Sequence, residues 1–224
     1  MKKNTLLFLA CLFCLIGKSQ THGADSTLRS LKFKQDSTLH ALIHADSVKV
    51  QKEFAKKIRW EKLKTVKIYP VINAGDGSGV VPVKDPTEIP DPNLEYKLLF
   101  ELTTSNPDSV ASELNYSLIE IARIINLHVA SGIALKKIHP VIVAHGYGLN
   151  ALTTNEYYRE HFKRENPNIK LISELKALGT RFIACGQALA YFNVTNEALL
   201  PFVKVSLTAQ TVLSSYVLKG YMRY

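Results

Sequence analysis

Cysteine is scarce in this chain of 224 residues, which contains only three. Cys11 and Cys14 lie in an apolar N-terminal stretch, so a chain cleaved after Ser19 retains Cys185 alone. A lone cysteine has no intramolecular disulfide partner. Cys185 is therefore either a small buried hydrophobic residue or a reactive thiol, and the local sequence leaves both interpretations open.

Long apolar segments are absent as well. The run Leu6–Ile16 has about eleven residues, whereas a transmembrane helix needs about twenty. Lysines precede this run and small residues follow it, which is typical of a secretory signal peptide. We therefore predict a signal peptide over residues 1–19, cleaved near Ser19, and a periplasmic or secreted bacterial protein without stable membrane insertion.

A large excess of one charge is also missing. The formal net charge of +9 falls to +6 when Lys2, Lys3 and Lys18 leave with the signal peptide. This mild excess, together with export, argues against a nucleic-acid partner. No G-x-S-x-G elbow and no G-x-G-x-x-G follows a predicted strand, so a serine hydrolase and a dinucleotide site are disfavoured. We expect no cofactor and no metal.

Residues 20–64 are polar and basic, and they form the first of three regions. Apolar residues at intervals of four and seven predict one face of a helix: Leu39, Ile43, Val50, Phe54 and Ile58. Such a helix suits a membrane surface or an acidic partner, but a solvated helix packed on the main domain or on another subunit is the simpler interpretation. Asp36, His40 and His44 give only a weak metal signal, because a catalytic zinc site needs three fixed ligands.

Residues 65–93 form the second region, a connector rich in proline and glycine. Four prolines lie between Pro82 and Pro92. Proline at this density disfavours a helix and favours an extended segment on the protein surface.

The third region, residues 94–224, alternates between strands and helices. Strands are predicted over 96–103, 138–144, 181–184 and 203–207, with a short last strand over 221–224. Helices are predicted over 112–130, with Ser112 as the cap, and over 169–178, 196–200 and 208–219. This alternation predicts an α/β domain with a parallel sheet of roughly five strands and helices on both faces.

Cys185 directly follows one of these predicted strands. Ligands bind beyond the carboxyl ends of the strands in open α/β sheets, so the thiol lies where a site is expected. Gly186 leaves room for a substrate sulfur, and Gln187 is polar. We expect the backbone amides of the helical segment that follows Cys185 to stabilise an anionic sulfur.

Four segments resemble the DsrE/DsrF-like family of sulfur-relay proteins in their order and spacing: Lys97–Phe100, Pro140–Gly146, Leu175–Cys185 and Leu218–Tyr221. The resemblance covers the domain of residues 94–224 and implies a small α/β domain that assembles as a trimer or hexamer. Some members carry a cysteine that accepts sulfane sulfur as a persulfide, and Cys185 stands at that position. Carriers of this family work in the cytoplasm, so predicted export separates this chain from their partner proteins.

Polar residues at strand ends and helix starts complete the predicted site. The hydroxyls after the first strand are expected to line the crevice beside the thiol, and the hydroxyl before the last helix either meets an anion or caps the helix. The candidate binding residues are Thr103, Thr104, Ser105, His145, Gly146, Gly186, Gln187 and Thr208.

His145 ends the strand 138–144, where an imidazole can act as a base or bind an anion. A flavodoxin-like strand order places the first strand between His145 and Cys185, which separates them by two strand spacings, about ten ångströms. That separation is too long for direct proton transfer. We therefore expect a structural role for His145.

Two functions from different classes remain after these arguments. The leading hypothesis is an exported carrier that receives and passes sulfur at Cys185, with a protein or a small sulfur compound as donor and acceptor. The alternative is a non-catalytic, oligomeric module that binds a small ligand and uses Cys185 as packing. Both predict a homo-oligomer, and whether the protein turns over as an enzyme is left open.

Overall fold

The fold is given by a computed structural model that describes residues 21–104 and 111–224, with side chains from residue 28 onwards. The predicted signal peptide and Ser105 lie outside the described residues. The chain divides into two compact units, residues 1–61 and 62–224.

The first unit consists, where it is described, of most of one long helix, α1 (Thr21–Val66). The predicted helical extension is therefore confirmed as helix. Most of its apolar side chains are exposed, among them Leu39, Ile43 and Phe54. No helix in the described ranges combines the length and the apolar content that crossing a membrane requires.

The second unit contains a sheet of five parallel strands, which confirms the predicted fold class. The order across the sheet is β4-β3-β2-β1-β5. The strands are β1 (Tyr96–Leu102), β2 (Ile138–Ala144), β3 (Arg181–Cys185), β4 (Lys204–Ser206) and β5 (Met222–Arg223).

This strand order corrects the flavodoxin-like expectation. β2 lies between β1 and β3, so the ends of β2 and β3 are adjacent. The chain advances one strand at a time from β1 to β4 and then returns to the opposite edge at β5. Right-handed crossovers place the advancing and the returning connections on opposite faces. The helices of these connections are α2 (Tyr116–Ala130), α3 (Asn155–Phe162), α4 (Ile169–Ala177), α5 (Gly186–Tyr191) and α6 (Ala209–Leu218).

Two hydrophobic clusters follow from this arrangement, one on each face of the sheet. The larger cluster joins alternate strand residues such as Phe100 and Ile142 to α2, α4 and α5. The smaller cluster joins the intervening residues, among them Val143 and Cys185, to α6. Cys185 therefore faces α6.

α2 begins later than predicted. It starts at Tyr116, and its cap is Asn115, whose side chain accepts hydrogen bonds from the amides of Ser117 at 2.9 Å and Leu118 at 3.4 Å. Ser112 is therefore not the cap. An amide side chain satisfies two of the free N–H groups at the start of the helix, which fixes the boundary there.

The first half of the connector packs on the α/β unit. Asn126 of α2 is buried, and its side chain accepts hydrogen bonds from the amides of Val71 at 3.0 Å and Ile72 at 3.1 Å. The same side chain donates to the carbonyls of Ile72 at 2.7 Å and Ser78 at 2.9 Å. Residues 82–95 are exposed and contain no regular secondary structure. The folded unit thus begins before the predicted start at Leu94.

Candidate functional site

The thiol of Cys185 lies at the N-terminus of α6. Its Sγ accepts a hydrogen bond from the backbone amide of Ala209, the first residue of that helix, at 3.2 Å. Cys185 makes no side-chain capping bond to α5. The expectation that the segment following Cys185 supplies the amide is therefore wrong, because the amide comes from α6. Both the N–H donor and the helix dipole stabilise a negative charge on sulfur.

Strand β4 lies next to Cys185 at the edge of the sheet. Cys185 pairs with Ser206, and a Cβ added to Gly186 would lie 2.6 Å from the carbonyl oxygen of Ser206. Glycine is therefore required at 186 for close packing of the backbone, and the space predicted there for a substrate sulfur is occupied. Gln187 has an exposed side chain, and its amide donates to the carbonyl of Leu207 at 3.1 Å.

His145 lies closer to Cys185 than the flavodoxin-like order implied. Ala144 pairs with Ala184, so the next residues, His145 and Cys185, continue the same register on adjacent strands. One strand spacing, about 4.8 Å, separates the backbones of the two strands. The expectation that the first strand intervenes is wrong, because β2 and β3 are neighbours.

The side chain of His145 pairs with Glu101 of β1. The distance from His145 Nε2 to Glu101 Oε2 is 3.1 Å, and Arg223 of β5 forms an ion pair with the other carboxylate oxygen. Burial alone raises the pKa of Glu101, but the hydrogen bonds from His145 and Arg223 lower it more, so the pKa lies below its ordinary value. Glu101 is thus held as a carboxylate.

The loop that follows His145 is fitted tightly to the end of β1. Gly146 has a φ of 57°, and the amide of Gly148 donates to the carbonyl of Thr103 at 3.1 Å. A Cβ added to Gly148 would lie 2.1 Å from the carbonyl oxygen of Leu102, so the loop tolerates only glycine there. Gly146 and Gly148 therefore position the turn that carries His145.

The other predicted binding residues that the structure describes, Thr103, Thr104 and Thr208, make hydrogen bonds within the fold. Thr103 and Thr104 are exposed, and their backbone carbonyls accept bonds from the Gly148 amide and from the Asn115 side chain, the latter at 2.8 Å. Thr208 caps α6 by accepting a hydrogen bond from the amide of Gln210 at 3.4 Å.

Three groups that the structure brings to this edge were not among the predicted site residues: the Glu101 carboxylate, the Arg223 guanidinium and the Ala209 amide. The signal for Glu101 was a charged residue directly after the apolar residues 98–100 of the predicted strand 96–103. A charge in a buried strand needs a partner, so it marks a paired group. The presence of Arg223 and Ala209 at this edge could be known only from the strand order.

The assembled groups suit thiol chemistry. The sulfur of Cys185 accepts a hydrogen bond from a backbone amide. On the neighbouring strand end, the ring of His145 contacts the Glu101 carboxylate. Among the described residues, no group of three or more His, Cys, Asp or Glu side chains is placed to hold a metal ion. The class of protein defined here is a parallel α/β domain with a single cysteine at the carboxyl edge of its sheet.

Comparison with known proteins gives the family. The model of the DsrE/DsrF-like family matches residues 97–222, which is more than half of the chain, and the chain belongs to that family. A solved structure, MTH1491, a protein of unknown function from Methanobacterium thermoautotrophicum, is similar at 22% sequence identity with a TM-score of 0.42. The similarity covers 58% of this chain and 97% of that one. A search of the curated proteins found no match.

Proposed function

We propose that this protein is an exported carrier of sulfane sulfur that holds the sulfur on Cys185 as a persulfide. The observation that carries the proposal is the hydrogen bond from the Ala209 amide to Sγ, at the N-terminus of α6. A thiolate is the nucleophile in sulfur transfer, and an amide donor with a helix N-terminus stabilises the thiolate more than the thiol. Membership in a family of sulfur-relay proteins supports the same chemistry.

The transfer is neutral in electrons. The Cys185 thiolate attacks the outer sulfur of a donor persulfide, the donor S–S bond breaks, and a new S–S bond forms on Cys185. The donor leaves as a thiolate and takes up the proton that the cysteine lost. An acceptor thiolate then removes the outer sulfur from Cys185 by the same reaction.

Export and assembly belong to the same proposal. The signal-peptide features of residues 1–19 support a periplasmic or secreted location, so the donor and acceptor are expected outside the cytoplasm. Exposed apolar residues support a homo-oligomer, a trimer or hexamer, because apolar side chains of this size are usually covered by a partner surface. They include Phe54 and Ile58 on α1 and, at the other end of the chain, Leu218 and Met222.

The test is sulfur uptake by the purified protein. We expect incubation with polysulfide to add the mass of one sulfur atom, and peptide mapping to place it on the peptide that contains Cys185. Cys185→Ser, shown to be folded by circular dichroism, should gain none. Equal uptake by Cys185→Ser, or no uptake by the wild type, would refute the proposal.

The burial of Cys185 favours the alternative function. The residue is 4% exposed and packs with Val143, Ala209 and Leu213 in the smaller cluster. An inert cysteine in a small-ligand-binding module would show this environment. Labelling distinguishes the two functions, because a carrier must expose its thiol in the folded state, whereas a packing cysteine reacts with iodoacetamide only after unfolding.

A further inference from the structure

A charged network lies on the same face of the sheet as Cys185. Glu101 follows Leu99 by two residues, and His145 follows Val143 by two, so both side chains extend from the α6 face. Their side chains are 16% and 27% exposed. Burying charged groups is costly unless they are paired, and this pair satisfies the condition, with Arg223 as its third member.

The pairing determines which nitrogen of His145 carries the proton. A carboxylate only accepts hydrogen bonds, so His145 Nε2 donates to Glu101. The neutral ring then has its lone pair on Nδ1, which makes no hydrogen bond within the described part of the chain. A carboxylate that holds a histidine in this way prepares the other nitrogen to accept a proton from a nucleophile.

We infer that Glu101 is a positioning residue, which holds His145 as the proton acceptor for the Cys185 thiol. This inference rests on the proposed function. It is carried by the register that sets His145 opposite Cys185, by the shared face, and by the Glu101 contact.

The covering helix α6 supplies no other base that could compete with His145 for the proton of Cys185. The described contacts and strand register place Glu101, Cys185 and Arg223 around His145. Tyr221 of the returning connection packs on the same small cluster, and Tyr147, two residues after His145, is exposed. α6, which covers this face, has no charged residue, and its single titratable residue, Tyr216, pairs with Arg181 at the amino end of β3. No second base is therefore placed at the thiol by α6.

In the transfer step, the proton moves from Cys185 to His145 and then to the leaving donor thiolate. The S–H bond of Cys185 breaks, the proton goes to His145 Nδ1, and the thiolate takes the outer sulfur of the donor persulfide. The displaced donor thiolate then receives the proton from His145. The carboxylate of Glu101 stabilises the imidazolium in between and stays ionised throughout.

The chain contains a matched control pair. Glu95 and His139 precede Glu101 and His145 by six residues each, and their side chains form the same contact at 2.6 Å. This pair lies at the amino ends of β1 and β2, away from Cys185. It reproduces the chemistry of the Glu101–His145 pair without the thiol.

The test is the rate of Cys185 alkylation by iodoacetamide at pH 7 and pH 10 in the mature protein, residues 20–224, which lacks Cys11 and Cys14. We expect Glu101→Gln and His145→Gln to slow alkylation at pH 7 about tenfold, because the thiol then lacks the positioned base that accepts its proton. At pH 10 all variants should react like the wild type, because a free thiol is ionised there. Glu95→Gln and His139→Gln should match the wild type at both pH values.

The outcomes separate this inference from the carrier proposal. Sulfur uptake at Cys185 with unchanged alkylation in both site variants overturns the positioning role and leaves the carrier. The expected alkylation pattern without sulfur uptake supports the positioning role and refutes the carrier. A uniform loss of rate at both pH values indicates a purely structural role and also overturns the inference, as does protection of Cys185 in the folded wild type. Should Glu101→Gln fail to fold, His145→Gln decides.

Discussion

Replacing Asn126 by alanine is expected to destabilise the α/β unit strongly. The side chain of Asn126 is fully buried and makes four hydrogen bonds, two accepted from the amides of Val71 and Ile72 and two donated to the carbonyls of Ile72 and Ser78. Each bond contributes about 1 kcal/mol net, so the loss is about 4 kcal/mol. This is a large part of the roughly 5–15 kcal/mol that stabilises a domain.

Urea denaturation followed by fluorescence and circular dichroism measures this loss. Asn196→Ala is the matched control, since Asn196 is exposed, and a change of no more than about 0.5 kcal/mol is expected there. A loss of less than about 1 kcal/mol for Asn126→Ala would show that these hydrogen bonds do not fasten residues 67–80 to α2.

Three further predictions concern the site and its supports. Gly148→Ala places a Cβ against the carbonyl of Leu102, so a loss of about 3 kcal/mol is expected by the same denaturation assay, and a smaller loss than 1 kcal/mol would contradict the tight turn. Thr208→Ala removes the cap of α6 and should lower the stability by about 1 kcal/mol, whereas Thr208→Ser should keep most of the stability of the wild type. Equal stability of all three proteins would refute the cap. The hydrogen bond from His139, followed by that from Lys137, lowers the pKa of Glu95 to about 2. Its stabilising contribution is therefore present above about pH 4.5 and lost as the pH falls towards 2, and a carboxyl NMR titration with an ordinary midpoint would contradict it.

Local pattern was enough to predict most elements of the α/β unit. Apolar runs bounded by glycine and polar residues predicted β2 and β3 within a residue of their ends, because strands buried on both faces read as continuous apolar segments. The start of α2 was misplaced, because Asn115 and Ser112 are both acceptable caps by residue type. The contact of the Asn115 amide with Asn168 Oδ1, at 2.7 Å, belongs to the tertiary fold and leaves no local signal.

The strand order lay beyond what local pattern specifies. Either order buries the same apolar strands, and the choice depends on the direction in which each crossover packs. That order decides the site, because it sets His145 beside Cys185 and brings β5, with Arg223, next to β1. The position of Cys185 at a strand end could be predicted from the local pattern, whereas the residues beside it depend on the topology.

The most direct measurement of the central claim is the release of sulfur from loaded protein. The protein would be loaded with labelled polysulfide, freed of excess reagent, and mixed with one equivalent of an acceptor thiol. We expect the label to leave Cys185 and to appear on the acceptor in a single turnover, while the protein returns to its original mass. Label that stays on the protein, or that never enters it at Cys185, would contradict the carrier function.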